Sequence, residues 1–103
     1  MQSSLRRIAL LVFLGCAINA QAASDATTRQ MAASCFSCHG TYGQSQGGIP
    51  ALAGRERQHF IKQMQDFKSG ARPATVMHRH AKGYSDAEIE KLAEYFAAQK
   101  RAP

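Results

Sequence analysis

One short stretch of the chain, CFSCHG at residues 35–40, combines the groups most able to do chemistry. Cys35 and Cys38 stand three residues apart, and His39 follows the second cysteine directly. Thiols at this spacing can close a disulfide, bind zinc, or react with the vinyl groups of a haem. Each chemistry places different demands on the rest of the chain, so the surrounding sequence discriminates among them.

The disulfide and zinc interpretations receive less support. A thioredoxin-like pair expects a strand before the motif and a βαβ setting, and no stretch alternates apolar and polar residues. Structural zinc commonly pairs Cys-x-x-Cys with a second ligand pair. His78 and His80 are too close together for that pair, and His59 is predicted to be an exposed helix residue.

Cys-x-x-Cys-His is typical of covalent haem attachment. Each thiol would add across one vinyl group, and the imidazole of His39 would then reach the iron. A haem would also supply a large apolar surface to a small core. We therefore predict one haem c per chain, held by Cys35 and Cys38, with His39 as an iron ligand.

The start of the chain predicts export. Arg6 and Arg7 precede seven apolar residues at 8–14, and the small-x-small sequence Ala20-Gln21-Ala22 follows. This is the pattern of a signal peptide over residues 1–22, with an apolar run too short for the roughly 20 residues that span a bilayer. Haem attachment of this kind follows export, so we expect a periplasmic domain at residues 23–103.

Cys16 raises the alternative of a lipid anchor, because Phe13-Leu14-Gly15-Cys16 loosely matches the lipid-attachment box of bacterial lipoproteins. Cleavage before Cys16 would leave a membrane tether, whereas cleavage after Ala22 removes this cysteine. We favour the soluble product.

Removing residues 1–22 from the 103 leaves 81. The stability of domains of this size commonly depends on a metal, a disulfide or another cross-link. Losing Arg6 and Arg7 lowers the Lys and Arg count from 13 to 11 against 7 acids, so the net charge falls from +6 to +4. A mildly basic surface favours acidic partners. The chain has no run of five basic residues, and nucleic acid is not indicated.

Two amphipathic segments predict the first two helices. The first runs from about residue 27 to 35, with Ser24 or Asp25 as its N-cap. The second runs from about residue 55 to 69, and Gly70 is expected to end it. The apolar stripe of the second helix consists of Phe60, Ile61, Met64 and Phe67.

The third helix has the clearest start signal. Ser85 and Glu88 are spaced as a capping box, and Lys100 and Arg101 are expected to close the helix where its dipole is negative. Its apolar face consists of Ile89, Leu92 and Phe96.

Two long loops, at residues 40–54 and 70–84, separate these helices, and no segment predicts a sheet. The predicted class is therefore all-α. Loops of about 15 residues without secondary structure are uncommon in a small domain and are usually functional. Both would be explained if they wrapped around the haem.

The sixth ligand position of the iron has three candidates in the second loop, Met77, His78 and His80. Met64 belongs to the apolar stripe, and Met31 shares a helix with the motif and cannot reach the opposite haem face. A thioether would raise the reduction potential, and an imidazole would lower it. The residues alone leave all three candidates open.

With these motifs in order, the chain resembles the class I c-type cytochromes over nearly all of its predicted mature part. Three stretches are similar to the cytochrome subunits of flavocytochrome c sulfide dehydrogenases and their single-haem relatives: CFSCHGTYGQSQGGIPALAG, FKSGARPATVM and AKGYSDAEIEKLAEYFA. The resemblance implies the class I cytochrome c fold, with three main helices and two long loops around one covalently bound haem.

The resemblance also implies residue roles. His39 and Met77 would be the axial ligands, Pro50 would accept a hydrogen bond from the ring N–H of His39, and Leu52 would pack on the haem. The terminal helices would cross near Tyr95 or Phe96. Relatives commonly have an apolar residue at the place of His80, which opens a pH-dependent ligand exchange or an altered partner surface.

The predicted function is one-electron transfer rather than catalysis. Expected partners are acidic redox proteins, with a flavoprotein or another sulfide- or thiosulfate-oxidising enzyme as donor and an oxidase or reaction centre as acceptor. Two alternatives are a relay subunit fixed to a flavoprotein sulfide dehydrogenase and, if Met77 does not ligate, a sensor of small ligands.

Overall fold

The computed structural model describes residues 25–103, so the predicted signal segment, Cys16 and Ser24 lie outside the described range. Within that range the protein is helical and has no strand, which confirms the all-α prediction. The helices are α1 at 25–33, α2 at Phe36–His39, α3 at Arg57–Ser69, α4 at Met77–Lys82 and α5 at Asp86–Ala97. No helix of residues 25–103 is both long and apolar enough to cross a bilayer.

The predicted first helix, at about residues 27–35, corresponds to α1, which ends at Ala33, and a turn at Ser34 and Cys35 separates it from α2. The Ser34 hydroxyl donates to the Met31 carbonyl at 2.6 Å, and the amides of Ser34 and Cys35 bond to carbonyls three residues back. Side-chain bonds of this kind compete with the helix, and α1 therefore ends before Cys35. Asp25 is helical rather than a cap, so that part of the prediction is wrong.

Helix α3 begins two residues later than predicted, because Glu56 is its N-cap. The two carboxylate oxygens of Glu56 accept from the amides of Gln58 and His59, both at 2.8 Å. The predicted stop is confirmed, since Gly70 takes the left-handed conformation with φ 83°. Glycine adopts this conformation without steric cost.

Helix α5 begins with the predicted capping box, in which Ser85 accepts from the Glu88 amide and the Glu88 carboxylate accepts from the Ser85 amide. It ends at Ala97, so Lys100 and Arg101 lie beyond the helix and do not close it. The Gln99 side chain donates to the Tyr95 carbonyl at 2.9 Å and satisfies the helix end instead.

The two predicted loops are only partly irregular. The first contains a 3₁₀ turn at Thr41–Gly43, and the second contains α4. Helix α4 has no apolar stripe in its sequence, and Ala81 is its buried residue. Its packing against α3 accounts for a helix that periodicity did not indicate.

The core joins α1, α3, α4 and α5. Ala32 of α1 and Phe96 of α5 are fully buried in it, and the rings of Phe60 and Phe96 stack with their centroids 5.7 Å apart. Ile61 and Phe67 are only partly buried against this core, unlike the other members of the predicted stripe. The cluster consists of Ala32, Phe60, Met64, Ala81, Ile89, Leu92, Ala93 and Phe96.

Residues 50–55, here called the carbonyl strap, are tied to the 3₁₀ turn at Gly43. The Gly43 carbonyl accepts from the amides of Leu52 and Ala53 at 2.8 and 3.0 Å. Gly43 is buried, has φ 75°, and leaves no room for a side chain, because a Cβ would lie 2.9 Å from Leu52 Cβ and from Phe96 Cδ1. Only glycine fits both the conformation and the space.

We expect Gly43→Ala to destabilise the protein by roughly 2 to 4 kcal/mol, the sum of a left-handed backbone penalty and overpacking. The urea midpoint of the haem-loaded protein measures this. Gly48→Ala is the matched control, because no atom lies within 4 Å of the added Cβ. Equal midpoints for the two variants would contradict the assigned role of Gly43.

Glu56→Ala is expected to lower the midpoint temperature by a few degrees near neutral pH. The amides of Gln58 and His59 hold the pKa of the Glu56 carboxyl below its ordinary range. A depressed folded pKa adds stability above the unfolded pKa, and this stability is lost as the pH falls through the folded value. The difference between wild type and variant should therefore shrink in acid, measured by circular dichroism. Glu90→Ala, which removes an exposed partner of Arg57 at 3.4 Å, should change little at any pH.

Candidate haem-binding site

The Cys-x-x-Cys-His motif lies where α1 turns into α2. Cys35 is the N-cap residue of α2, and Cys38 and His39 lie within that helix. The His39 amide donates to the Cys35 carbonyl at 2.9 Å, so one helical turn holds the motif together. Both thiols are free; Cys35 is half-buried and Cys38 is exposed. Burial raises the pKa of the Cys35 thiol.

The imidazole of His39 is oriented by Pro50, since Nδ1 lies 2.6 Å from the Pro50 carbonyl oxygen. A carbonyl oxygen can only accept, so Nδ1 carries the proton and donates. The neutral ring then has its lone pair on Nε2, which is the nitrogen free to bind a metal. The structure therefore brings together two residues, His39 and Pro50, that the sequence separates by a loop.

Met77 is the first residue of α4, not a loop residue as its sequence context suggested. The amides of Arg79 and His80 both donate to the Val76 carbonyl, at 3.0 and 3.3 Å, and these bonds start the helix. The Met77 side chain is half-buried and packs against the core, as does Leu52 of the carbonyl strap. The candidate thioether is thus held by a helix that packs on α3.

The other histidines differ in their surroundings. His78 is half-buried, and its Nδ1 is buried without a hydrogen-bond partner. His80 is exposed, and so is His59 on α3. Burial therefore favours Met77 and His78 over His80 as groups that meet a bound cofactor. A buried imidazole nitrogen without a partner costs free energy unless something else satisfies it.

A polar link ties the motif to the segment between α4 and α5. The Ser34 hydroxyl lies 2.9 Å from the Tyr84 hydroxyl. Because the Ser34 proton goes to Met31, the Tyr84 hydroxyl donates to Ser34. The Tyr84 carbonyl accepts from Lys68 Nζ at 2.6 Å. No pattern in the sequence pointed to this link, which depends on residues far apart along the chain.

The donor set fits a haem c. Two free thiols, one imidazole nitrogen with an available lone pair, and a half-buried thioether stand on elements that share one core. Within the described part of the chain, no group of three or more His, Cys, Asp or Glu residues could hold a metal ion by itself. The partly buried hydrophobic residues that pack against the core are Met31, Cys35, Phe36, Leu52, Ile61, Phe67, Met77, Tyr84 and Tyr95.

A polar residue that sequence reasoning missed lies at the end of the carbonyl strap. Arg55 of the carbonyl strap directs its guanidinium back to the Ala51 carbonyl, with Nη2 at 2.8 Å and Nε at 3.2 Å. An arginine just before a helix carries no motif, and no pattern in the sequence could have identified this contact.

Comparison with known proteins identifies the family. Residues 22–96 match the family described as cytochrome c oxidase, cbb3-type, subunit III. A solved structure of cytochrome c4 from Acidithiobacillus ferrooxidans superposes with a TM-score of 0.60 at 36% identity, covering 62% of this chain and 37% of that one. The class I cytochrome c fold expected from the sequence is confirmed.

Curated relatives include cytochromes associated with sulfur oxidation. The cytochrome subunit of sulfide dehydrogenase from Chlorobaculum tepidum is 49% identical over 63 residues, which are 61% of this chain and 57% of that protein. The thiosulfate dehydrogenase electron acceptor of Thiomonas intermedia is 38% identical over 98 residues, 93% of this chain and 45% of that protein.

Cytochrome c4 of Pseudomonas aeruginosa is 40% identical over 95 residues, which are 90% of this chain and 47% of that protein. The chain thus spans about half the length of the curated relatives it matches. The family match covers most of the chain, and the free thiols and oriented imidazole are the groups that haem attachment requires. The chain therefore belongs to the cytochrome c family of electron-transfer proteins, whose haem c is covalently bound.

Proposed function

We propose that this protein is a periplasmic one-electron carrier, with its haem attached through Cys35 and Cys38 and its iron ligated by His39 and Met77. The observation that carries the proposal is the 2.6 Å hydrogen bond between His39 Nδ1 and the Pro50 carbonyl. This bond leaves Nε2 as the ligating nitrogen. Carbonyl partners of this kind commonly orient metal-binding histidines.

The chain's own residues would hold the site through the redox cycle. Haem c, when bound, supplies an iron centre that gains and loses one electron. Pro50 would keep His39 in one tautomer and orientation. The helical hydrogen bond from the His39 amide to the Cys35 carbonyl would fix the position of the thioether relative to the imidazole. Little rearrangement would then accompany electron transfer.

Met77 is proposed as the second ligand because its half-buried thioether stands at the start of a helix that packs on α3. Two protein ligands would leave no open position for a substrate, which suits a carrier rather than a catalyst. A thioether also raises the reduction potential relative to a second imidazole.

The expected partners carry acidic surfaces. The sequence has a net charge of +6, which falls to +4 for residues 23–103. Such a charge accelerates encounters with acidic proteins and makes their rate sensitive to salt. By analogy with the relatives, the donor would be a sulfide- or thiosulfate-oxidising enzyme, including a flavoprotein dehydrogenase, and the acceptor would be an oxidase.

A second candidate is a haem-bearing relay subunit bound to a flavoprotein sulfide dehydrogenase. The 49% identity to a cytochrome subunit of sulfide dehydrogenase favours it. Purification of the native protein distinguishes the two functions, because a relay subunit would retain a flavin-containing partner through size-exclusion chromatography and a carrier would elute alone.

Met77→Ala is expected to abolish a weak absorption band at about 695 nm in the oxidised protein, the signature of iron–methionine ligation. The reduced variant should also gain rapid carbon monoxide binding, because a ligand position opens. Met31→Leu is the matched control, since it removes another half-buried methionine and should keep the band. A band that survives in Met77→Ala would contradict the axial assignment.

We expect intact-mass measurement of the exported protein to give residues 23–103 plus one haem, with the N-terminus at Ala23. Cys16→Ser should leave location and mass unchanged, because this cysteine would be removed with the signal peptide. An acylated N-terminus at Cys16, or a membrane location that Cys16→Ser abolishes, would contradict the soluble periplasmic product.

A further inference from the structure

Arg55 is the last residue of the carbonyl strap, and its side chain turns back along it. Its Nη2 and Nε both donate to the Ala51 carbonyl, at 2.8 and 3.2 Å. Its Nη1 lies 3.4 Å from Gln63 Oε1 on α3. The residue is half-buried, so the contacts are partly shielded from water. A charged donor with two bonds to one carbonyl is a strong and directional clamp.

The peptide unit that Arg55 holds directly follows the unit whose Pro50 carbonyl orients His39. The peptide unit between Ala51 and Leu52 is held at both ends, because Arg55 binds its carbonyl and Gly43 accepts from its amide. The preceding unit carries the Pro50 carbonyl, and the proline ring fixes φ of Pro50 on the N-terminal side of that unit. Only the two dihedrals of Ala51 join these peptide planes. Holding the second plane therefore restricts where the Pro50 oxygen can point.

We propose that Arg55 is a positioning residue that sets the strength of the hydrogen bond between Pro50 and His39 and, through it, the reduction potential of the haem iron. The inference rests on the proposed ligation by His39. Arg55 acts through the Ala51 carbonyl and needs no contact with the iron or with His39.

Arg55 has two effects of opposite sign. A firm hydrogen bond at Nδ1 makes the imidazole a stronger donor, which favours ferric iron and lowers the reduction potential. The guanidinium charge favours ferrous iron and raises it. The hydrogen bonds of Arg55 within residues 25–103 go to neutral oxygens of Ala51 and Gln63, and none there goes to a carboxylate. The two effects can be separated with Arg55→Lys. This variant keeps the positive charge but loses the planar guanidinium that donates two hydrogen bonds to the Ala51 carbonyl.

The test compares Arg55→Lys with Arg55→Gln in the haem-loaded protein. The first measurement is the solvent exchange rate of the His39 Nδ1 proton, followed by NMR in the ferrous state. Both variants should exchange roughly tenfold faster than wild type, the order expected when a hydrogen bond from a charged group is lost. The second measurement is a potentiometric titration. The potential of Arg55→Lys should lie above wild type, and that of Arg55→Gln should lie below Arg55→Lys.

Arg57→Gln is the matched charge control. Arg57 is two residues away and faces Glu90 and Glu94 at 3.4 and 3.6 Å, without a contact to the strap. Its loss removes the same charge and should leave the His39 proton exchange at the wild-type rate. Faster exchange in Arg57→Gln equal to that in Arg55→Gln would overturn the proposed clamp.

If both Arg55 variants fail to fold, the exchange rate of the His39 proton is measured in Gln63→Ala instead. It removes the side chain that supports Nη1 and leaves the charge and the strap in place, so exchange of the His39 proton should quicken by roughly twofold, less than in the Arg55 variants. Wild-type exchange in Gln63→Ala and in any folded Arg55 variant would overturn this inference alone. A wild-type protein without a signal from iron-bound His39 would overturn the proposed function as well.

Discussion

The hydrogen bond from His39 to the Pro50 carbonyl is the constraint on which the rest of the site depends. It selects the tautomer of the neutral imidazole whose lone pair is on Nε2, and it does so with a partner that can only accept. The bond requires the loop after the motif to return to α2. Gly43 makes that return possible, because its carbonyl receives two strap amides and its missing side chain lets Leu52 and Phe96 approach.

The remaining architecture brings the second half of the site to the first. Helix α3 packs on both α4 and α5, so the start of α4, with Met77, is positioned by a helix that itself belongs to the core. Tyr84 then links the end of α4 back to Ser34 beside the motif. A one-electron carrier benefits from such cross-links, because groups fixed in both oxidation states need little reorganisation. The small all-helical core is sufficient since a bound haem would add apolar contacts of its own.

Much of the site was predictable because its chemistry is local. The spacing of Cys35, Cys38 and His39 identifies a haem motif without any tertiary information, and the capping box at Ser85 and the glycine stop at Gly70 are equally local signals. The predicted helix ends were wrong where two local interactions compete. Ser34 bonds to the Met31 carbonyl and ends α1 early, and Gln99 takes the role expected of Lys100 and Arg101. Helix α4 was missed because its sequence has no apolar period, and packing on α3 makes it helical.

The sequence by itself determined the cofactor chemistry, the all-α class and the order of the main elements, since covalent spacing and helical periodicity act over a few residues. Only the tertiary structure decided which arginine clamps the peptide after Pro50, and that the buried ring nitrogen belongs to His78 while His80 is exposed. These features join residues through loops whose path is fixed by glycine conformation and core packing. A contact between a backbone carbonyl and a side chain within or across a loop leaves no periodic trace in the sequence.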